Sequence, residues 1–578
     1  MAVDADARGA RVRAPTRPGL LRFAPGLTLF LFLAPVAAGL IGALLPAFGY
    51  LPALGGERFS LDPWVRLAAY PGVWAAAATS LWTGLAAAAL SVLLTVGFAA
   101  ASHGTSLYHW MRRVLAPLLA VPHAAFAIGL AFLLAPSGWM LRALSPWATG
   151  FDLPPDVPLS PDPYGLNLVL GLVVKEVPFL FLMMLGALAQ VPADRTLAVA
   201  RSLGYGPATA WIKTVLPLVY RQMRLPILAV IAFSVSVADV ALLLTGATRP
   251  TLSVLILRWA NDPDLGFQFL AAAGACLQLG VALAAIALWL AAERAAAAIG
   301  RRWTARGARG GAERPAGLAK GLVVGLTALG ILSLAGMAIW SLARRWRWPD
   351  ALPGQWTLHN WTHHAGEAVG PGATTLIVGL AAAAIALALV LACLEAEDRS
   401  GARPSTRALW LLYTPLIVPQ VAFLFGVQVL LLAAGLEGAW AALIWAHLLF
   451  VLPYLFLSLS EPFRKLDPRY ARSALCLGAG PNRVFWRIKA PMLTRPIAVA
   501  LAVGFAVSVG EYLPTIFAGG GRLTTLTTEA VARAGGGDRR LIGIYAVLQA
   551  TLPLLGFLAA ALLPAWLHRR RAGMREGL

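Results

Sequence analysis

The chain has 578 residues, of which 59% are hydrophobic and only 13% charged, and its mean hydropathy is +0.73. These values exclude an ordinary soluble domain. A net charge of +21 is also found in nucleic-acid-binding proteins, but in so apolar a chain the position of each Lys and Arg is more informative than their sum. The composition therefore predicts an all-α, polytopic membrane protein without a nucleic-acid partner.

Long apolar runs predict the spanning helices, because a bilayer requires about 20 apolar residues per helix and leaves no backbone polar group free to bond with water. About twelve runs qualify in chain order: Pro25–Leu45, Trp74–Phe98, Leu115–Leu134, Leu166–Leu188, Leu225–Leu244, Phe269–Leu290, Gly321–Trp340, Leu376–Leu394, Trp410–Ala434, Trp440–Leu459, Ile497–Phe517 and Leu541–Leu563. Roughly three quarters of the lysines and arginines fall on one side of these runs, which by the positive-inside rule is the cytoplasmic side. Both the basic N-terminus (1–22) and the tail (567–578) are predicted to be cytoplasmic.

The chain contains a long internal repeat. ARSLGYGPATAWIKTVLP at 200–217 corresponds to ALCLGAGPNRVFWRIKAP at 474–491, and Pro122-x-x-x-Phe126-x-x-Gly129 recurs from Pro419 to Gly426. A six-helix unit used twice explains this pattern. We predict two homologous permease domains, 23–292 and 320–566, related by a parallel pseudo-two-fold axis. Residues 293–319, rich in Gly, Ala and Arg, are predicted to be a flexible cytoplasmic linker.

The two repeated segments lie between the fourth and fifth runs of each half, and each predicts a helix, a tight bend and a second helix. Glycine at the bend suits a positive backbone φ or the close approach of another surface. An aromatic and a basic residue follow the bend in each copy, and we expect them to form a surface for a partner. The alternative is an amphipathic connector lying on the lipid headgroups, which the duplication at matched positions makes less favourable.

The segments resemble the cytoplasmic loop of ATP-binding-cassette (ABC) importer permeases, with the pattern Glu-Ala-Ala, three residues, Gly, nine residues, Ile-x-Leu-Pro. The whole chain resembles fused two-domain permeases of the ferric-iron and thiamine type. The matching glycines and prolines are present, but Ala198 and Arg472 stand at the glutamate positions. The resemblance implies that each segment is a coupling helix for an ATPase subunit, formed by the residues Gly204, Gly206, Pro207, Trp211, Lys213 and Pro217 in the first half and Gly478, Gly480, Pro481, Phe485, Arg487 and Pro491 in the second.

The resemblance also implies partners and a location. It implies two cytoplasmic ATPase subunits, an external binding protein that docks on the loops Tyr50–Tyr70 and Arg344–Thr374, and the bacterial inner membrane. The chain has no Gly-x-x-x-x-Gly-Lys-Ser/Thr phosphate loop. ATP is therefore expected to be hydrolysed by a partner, and this chain is expected to be a transport subunit, not an enzyme, without a cofactor or metal of its own.

Ionisable groups within the apolar runs are costly and usually face a cavity or a partner. Glu176 and its neighbour Lys175 lie within the fourth run, and Asp239 and Glu511 occupy equivalent places in the fifth and eleventh. We predict Glu176, Asp239 and Glu511 to lie along the translocation pathway. Either a hydrogen-bonding role near the pore or direct contact with the solute fits the two equivalent carboxylates.

Two alternatives remain open at this stage. A secondary transporter with two six-helix halves would also have a parallel repeat and buried carboxylates, although it would not require a long basic loop in both halves. The solute is also open, because thiamine-like cations, ferric iron, polyamines and some oxyanions all fit the sequence. His359, His363 and His364 are interpreted as part of a solvated, partly helical loop instead of a metal site.

Overall fold

The computed structural model describes residues 19–157, 160, 162–245, 249–401, 414–567 and 569. Most of the predicted basic N-terminus and tail, and the beginning of the run Trp410–Ala434, lie outside these residues. Within them, regular structure is helical except for one antiparallel pair of short strands, Ala343–Arg345 and Gln355–Trp356. The all-α, polytopic prediction is confirmed.

Ten helices of the described chain are long and apolar enough to cross a membrane. They are Gly19–Ala47, Val73–Ser102, His123–Leu144, Leu166–Leu188, Pro207–Ser236, Phe267–Ala305, Glu313–Leu342, His359–Ser400, Trp440–Arg464 and Arg539–Leu567. A bent pair, Pro481–Met492 and Thr494–Gly510, brings the number to as many as eleven, and Gln420–Ala433 is a shorter apolar helix. The count of twelve and the pseudo-two-fold axis stay predictions.

Shorter helices connect the long ones or interrupt them. They are Pro52–Leu54, Asp62–Ala69, Ser106–Ala120, Trp139–Leu144, Ala193–Ser202, Pro207–Ala210, Trp211–Val215, Asp239–Leu244, Leu252–Ala260, Thr414–Ile417, Pro468–Cys476, Pro481–Val484, Phe485–Lys489, Ala490–Met492, Leu513–Gly519 and Leu526–Ala534. The predicted single run Leu115–Leu134 is wrong. It divides between Ser106–Ala120 and His123–Leu134, because Pro122 holds the preceding Val121 in extended backbone (φ −67°, ψ 130°).

The first long helix of each half packs against the other half, and the repeated glycines are the points of closest approach. A Cβ on Gly426 would lie 1.8 Å from the carbonyl oxygen of Gly39, and a Cβ on Gly129 would lie 2.5 Å from that of Ser333. Small residues allow such backbone contact between membrane helices. The glycine of the repeated Pro-x-x-x-Phe-x-x-Gly pattern thus lies, in both copies, at a helix contact between the two halves.

Candidate functional site

The two repeated segments have the same backbone. The first bent segment (193–217) begins with the helix Ala193–Ser202, turns at Gly204 with φ +82°, and resumes at Pro207. The second bent segment (468–491) begins with Pro468–Cys476 and turns at Gly478, also with φ +82°. The positive dihedral expected for the bend glycines is confirmed, since an L-residue rarely adopts this conformation. Gly206 and Gly480 then serve as N-caps in extended backbone.

A π-helical turn follows the bend in each copy, Trp211–Val215 in the first and Phe485–Lys489 in the second. Each turn begins at the aromatic residue, and Trp211 is fully buried while Phe485 is nearly so. The prediction of a joint aromatic and basic docking surface is therefore wrong for the aromatic residues, which attach the segments to the membrane domain. Arg487 is exposed, whereas Lys213 is half-buried.

Exposed leucines, which the sequence interpretation did not single out, project from both bends. Leu477 is 88% exposed and its counterpart Leu203 is 58% exposed. Each immediately precedes the bend glycine, and its recurrence in Leu-Gly-x-Gly-Pro was the available signal. A large apolar side chain held at the tip of a rigid turn suits insertion into a partner's pocket.

The region predicted to be a flexible linker is folded, so that prediction is wrong. The helix Phe267–Ala305 continues through its first part, and the helix that begins at Glu313 includes its last part. The connecting residues pack on the first bent segment, where the Gly206 N–H donates to the Arg309 carbonyl at 2.8 Å. The Thr209 hydroxyl donates to the Glu313 carboxylate, also at 2.8 Å.

Lys213 completes this attachment. Its ammonium donates to the carbonyls of Ala308 at 2.6 Å and Trp303 at 3.3 Å, and lies 4.4 Å from the centre of a Trp303 ring. A cation held by carbonyls and an aromatic face is favourable at a half-exposed site. The first bent segment is thus fixed by the linker.

The second bent segment is fixed by ion pairs. Lys489 donates to Glu395 and Asp398, both at 2.7 Å, and Arg399 bridges Glu395 to Asn482 of the segment at 2.8 and 3.0 Å. Both Lys489 and Glu395 are buried. The first copy places fully buried Val215 at the position of Lys489, within the same apolar cluster as Phe98.

The helix that follows each bent segment is interrupted at the predicted carboxylate. Leu216–Ser236 ends just before Asp239, which begins the helix Asp239–Leu244, and Thr494–Gly510 ends just before Glu511. Asp239 is buried and Glu511 is half-buried, and the two lie within Coulombic range of each other. The structure therefore brings these two predicted pathway residues together at breaks in the spanning helices.

Two buried glutamines satisfy backbone carbonyls at the two helix breaks, and the sequence interpretation identified neither of them. Gln278 donates to the Val235 carbonyl at 3.2 Å, and Gln549 reaches the Val509 carbonyl through the hydroxyl of Thr527. Both side chains are fully buried. A carbonyl freed by a break within the membrane must find a partner inside the protein. The signal was an amide side chain within an otherwise apolar run of each half.

Lys175 and Glu176, the adjacent charged residues of the fourth run, contact different parts of the protein. Lys175 donates to the carbonyls of Leu118 and Val121, at 3.1 and 2.5 Å, and thereby caps the helix Ser106–Ala120. Glu176 lies 3.7 Å from the Nε2 of His123, whose side chain is one-third exposed, and His123 is within Coulombic range of Asp239. Glu176 is thus linked through His123 to Asp239, another of the predicted pathway residues, and Lys175 is not.

Two further histidines have hydrogen-bonding partners within the protein. His364 pairs with Glu367 at 3.0 Å on the helix that begins at His359, and His447 contacts the hydroxyls of Ser508 and Thr515 at 2.7 and 3.0 Å. Among the described residues, no group of three or more His, Cys, Asp or Glu side chains is placed to hold a metal ion.

The spanning helices and the paired segments define a polytopic membrane transport subunit. A family model for the binding-protein-dependent transport system inner membrane component matches residues 384–572. The inner membrane ABC transporter permease protein YnjC of Escherichia coli K12 is 33% identical over 559 residues, which cover 96% of this chain and 99% of that protein. This chain belongs to the family of inner-membrane ABC transporter permeases.

Two further relatives match over shorter stretches. The molybdenum transport system permease protein ModB of Mycobacterium tuberculosis is 34% identical over 166 residues, 26% of this chain and 62% of that protein. The putrescine transport system permease protein PotI of Escherichia coli K12 is 28% identical over 197 residues, 32% of this chain and 69% of that protein. These two relatives are named for chemically different solutes.

Proposed function

We propose that this chain is the transmembrane subunit of a binding-protein-dependent importer in the bacterial inner membrane, with both termini in the cytoplasm. Two ATPase subunits drive it, one on each bent segment. The carrying observation is that both segments present an exposed leucine on a glycine turn of identical φ, while the aromatic residue behind it is buried in the membrane domain. A small solute arrives from an external binding protein docked near Tyr50–Tyr70 and Arg344–Thr374.

Force applied to a bent segment would reach the pathway along one helix. From Trp211 to Ser236 the chain rises about 38 Å, enough to cross the hydrocarbon core of about 30 Å. The helix ends at the break beside Asp239. Movement of the segment would therefore displace the break, and the opening or closing of the pathway there would follow ATP binding and hydrolysis.

The carboxylates at the breaks are proposed to line this pathway. Glu511→Gln and Asp239→Asn keep the shape of each side chain and remove its ability to ionise. We expect each to lower ATP-driven uptake at least tenfold, about 1.4 kcal/mol in the transport barrier, with insertion into the membrane unchanged. The control is Glu461→Gln, a carboxylate 61% exposed in an ion pair with Lys465. Full activity in both pathway variants would show that these carboxylates do not face the solute.

Co-expression with the ABC ATPase encoded beside this chain's gene tests the main proposal. We expect a stable complex in detergent and uptake that stops on ATP depletion but survives an ionophore. If no complex forms, and uptake collapses with the ionophore while surviving ATP depletion, the chain is instead an ion-gradient-driven secondary transporter.

The solute is best found through the binding protein. A ligand that binds the folded state raises the unfolding temperature, and the rise increases with the ratio of its concentration to its Kd. Thermal unfolding of the neighbouring gene's binding protein should therefore be measured with putrescine, thiamine, ferric ion and molybdate in turn.

A further inference from the structure

We propose that the linker and the first bent segment together form one arginine-rich docking surface for an acidic surface of the first ATPase subunit. The two ATPase subunits would then contact this chain through different residues. The inference rests on the proposed function and goes beyond it, because it assigns to the connection between the halves a role in binding the partner.

The linker is built onto the first bent segment by several polar contacts. Glu313 accepts hydrogen bonds from both the backbone N–H and the hydroxyl of Thr209, and its second oxygen accepts the N–H of Gly311. The N–H of Ala312 donates to the Thr209 hydroxyl in return. Linker and segment therefore present one continuous surface.

The length of the preceding helix places this surface away from the lipid. Phe267–Ala305 has 39 residues and is roughly 58 Å long, nearly twice the hydrocarbon thickness. Its apolar stretch ends near Leu290, so residues 293–305 extend about 18 Å further. The linker thus lies at the depth of the bent segment it contacts, where a docked ATPase would lie, and beyond the headgroups.

The surface is strongly basic. Five exposed arginines lie between residues 301 and 314, namely Arg301, Arg302, Arg306, Arg309 and Arg314. Glu313 is the one acidic residue in this stretch, and its carboxylate is occupied by Thr209 and Gly311. Several like charges without a neutralising neighbour attract an acidic partner surface and accelerate its association.

The second bent segment carries such charge on its own residues. Arg483 and Arg487 are exposed there. The equivalent positions in the first bent segment are Thr209 and Lys213, and both bind the linker. Two copies of one ATPase would present the same surface to both segments. The first segment has two exposed arginines of its own, Arg195 and Arg201. The linker adds to them the positive charge that the second segment carries after its bend.

The test measures binding of the neighbouring gene's ABC ATPase to the full-length chain in neutral-lipid nanodiscs, at two salt concentrations. The linker variant is Arg302→Gln/Arg306→Gln/Arg309→Gln. We expect one of the two binding events to weaken about tenfold and to lose part of its salt dependence. The matching Arg→Lys variant should restore binding. The control, Arg58→Gln/Arg344→Gln/Arg345→Gln, removes three exposed arginines elsewhere and should bind as wild type.

The variant Leu477→Ser, on the second bent segment, distinguishes failure of the linker proposal from failure of the proposed function. If wild type does not bind the ATPase, the proposed function itself fails. If Leu477→Ser weakens binding but the linker variant does not, the linker proposal is overturned and the function stands. Normal ATPase binding by the linker variant, combined with ATPase activity that no longer responds to added phosphatidylglycerol, would assign the arginines to anionic lipid and would also overturn the proposal.

Discussion

The two bent segments differ in their supports, although their bends have the same backbone. The first is held by the linker through carbonyls, a threonine hydroxyl and an aromatic ring, and the second by a buried lysine between carboxylates. The first also runs straight into its span as Pro207–Ser236, whereas Pro481–Met492 and Thr494–Gly510 meet at 75°. A repeated segment can thus keep its local shape while its tertiary contacts differ.

The largest expected effect comes from removing the shared turn. In Gly478→Glu and Gly204→Glu, a side chain at φ +82° adds about 1–2 kcal/mol of strain, and the carboxylate lies beside the projecting leucine. We expect both variants to insert normally and to lose ATP-driven uptake. Gly478→Asn and Gly204→Asn, which tolerate the left-handed region, should keep most of it. Unchanged uptake in both glutamate variants would refute the assignment of the coupling segments.

The ion-paired support should be more sensitive than the linker support. Lys489→Met leaves buried Glu395 with Arg399 as its remaining ion-pair partner among the described residues, so we expect a loss of about 3 kcal/mol, the lower end for a broken buried pair. Lys213→Met removes contacts to carbonyls at a half-exposed site, and we expect a loss of about 1–2 kcal/mol.

Hydrogen exchange measures these two losses locally, on residues 468–491 and 193–217. Exchange should accelerate much more in the second segment of Lys489→Met than in the first segment of Lys213→Met. Lys465→Met, at a lysine 75% exposed, is the control and should change neither. Equal acceleration in the two lysine variants would mean that the two supports have similar strength.

Truncation of the projecting leucines compares the two docking tips. A fully buried leucine contributes about 1.5–3 kcal/mol. Since Leu477 is 88% exposed and Leu203 is 58% exposed, Leu477 has more surface to bury in a partner. ATPase titration should show weaker binding in both serine variants, by about tenfold for Leu477→Ser and by less for Leu203→Ser. The reverse order would place the main contact at the first segment.

The smallest effect is expected from adding a single methyl group at Gly206, where the linker packs on the first bent segment. An alanine Cβ at Gly206 would lie 2.2 Å from the Oε1 of Glu313, whereas one at Gly480 meets nothing within 4 Å. Gly206→Ala should displace the Glu313 carboxylate from Thr209, loosen the linker by about 1–1.5 kcal/mol and raise tryptic cleavage at its arginines about tenfold. Gly480→Ala should be cleaved like wild type. Equal cleavage of both would show that the linker does not depend on this contact.

Most of the architecture could be predicted because membrane helices obey a local rule. An apolar run of sufficient length forms a helix whatever its neighbours are, so Leu166–Leu188 was predicted to the residue. The bend glycines were predicted because φ +82° restricts the residue type and the motif occurs twice. The interruption after Ser236 was not, because Val237 and Ala238 are ordinary apolar residues and the partner of the carbonyl at the break is a buried glutamine on another helix.

The sequence predicted where the two bent segments lie in the chain, but not which of their side chains are exposed. Leu203 projects beside the left-handed glycine of the bend, whereas Trp211, the first residue of the π-helical turn, is fully buried. Gly, Ala and Arg composition indicated a flexible linker, yet the linker is ordered by partners on the first bent segment that lie about a hundred residues earlier in the chain.

The sequence by itself determined the membrane class, most of the helical runs, the internal repeat and the two glycine turns, because each depends on local hydrophobicity, spacing or a dihedral that one residue type accepts. Only the tertiary structure decided which residues project from the turns, what holds each segment, and that Asp239 and Glu511 lie near each other. Those outcomes depend on contacts between distant residues, and the buried polar partners that satisfy them carry no local pattern.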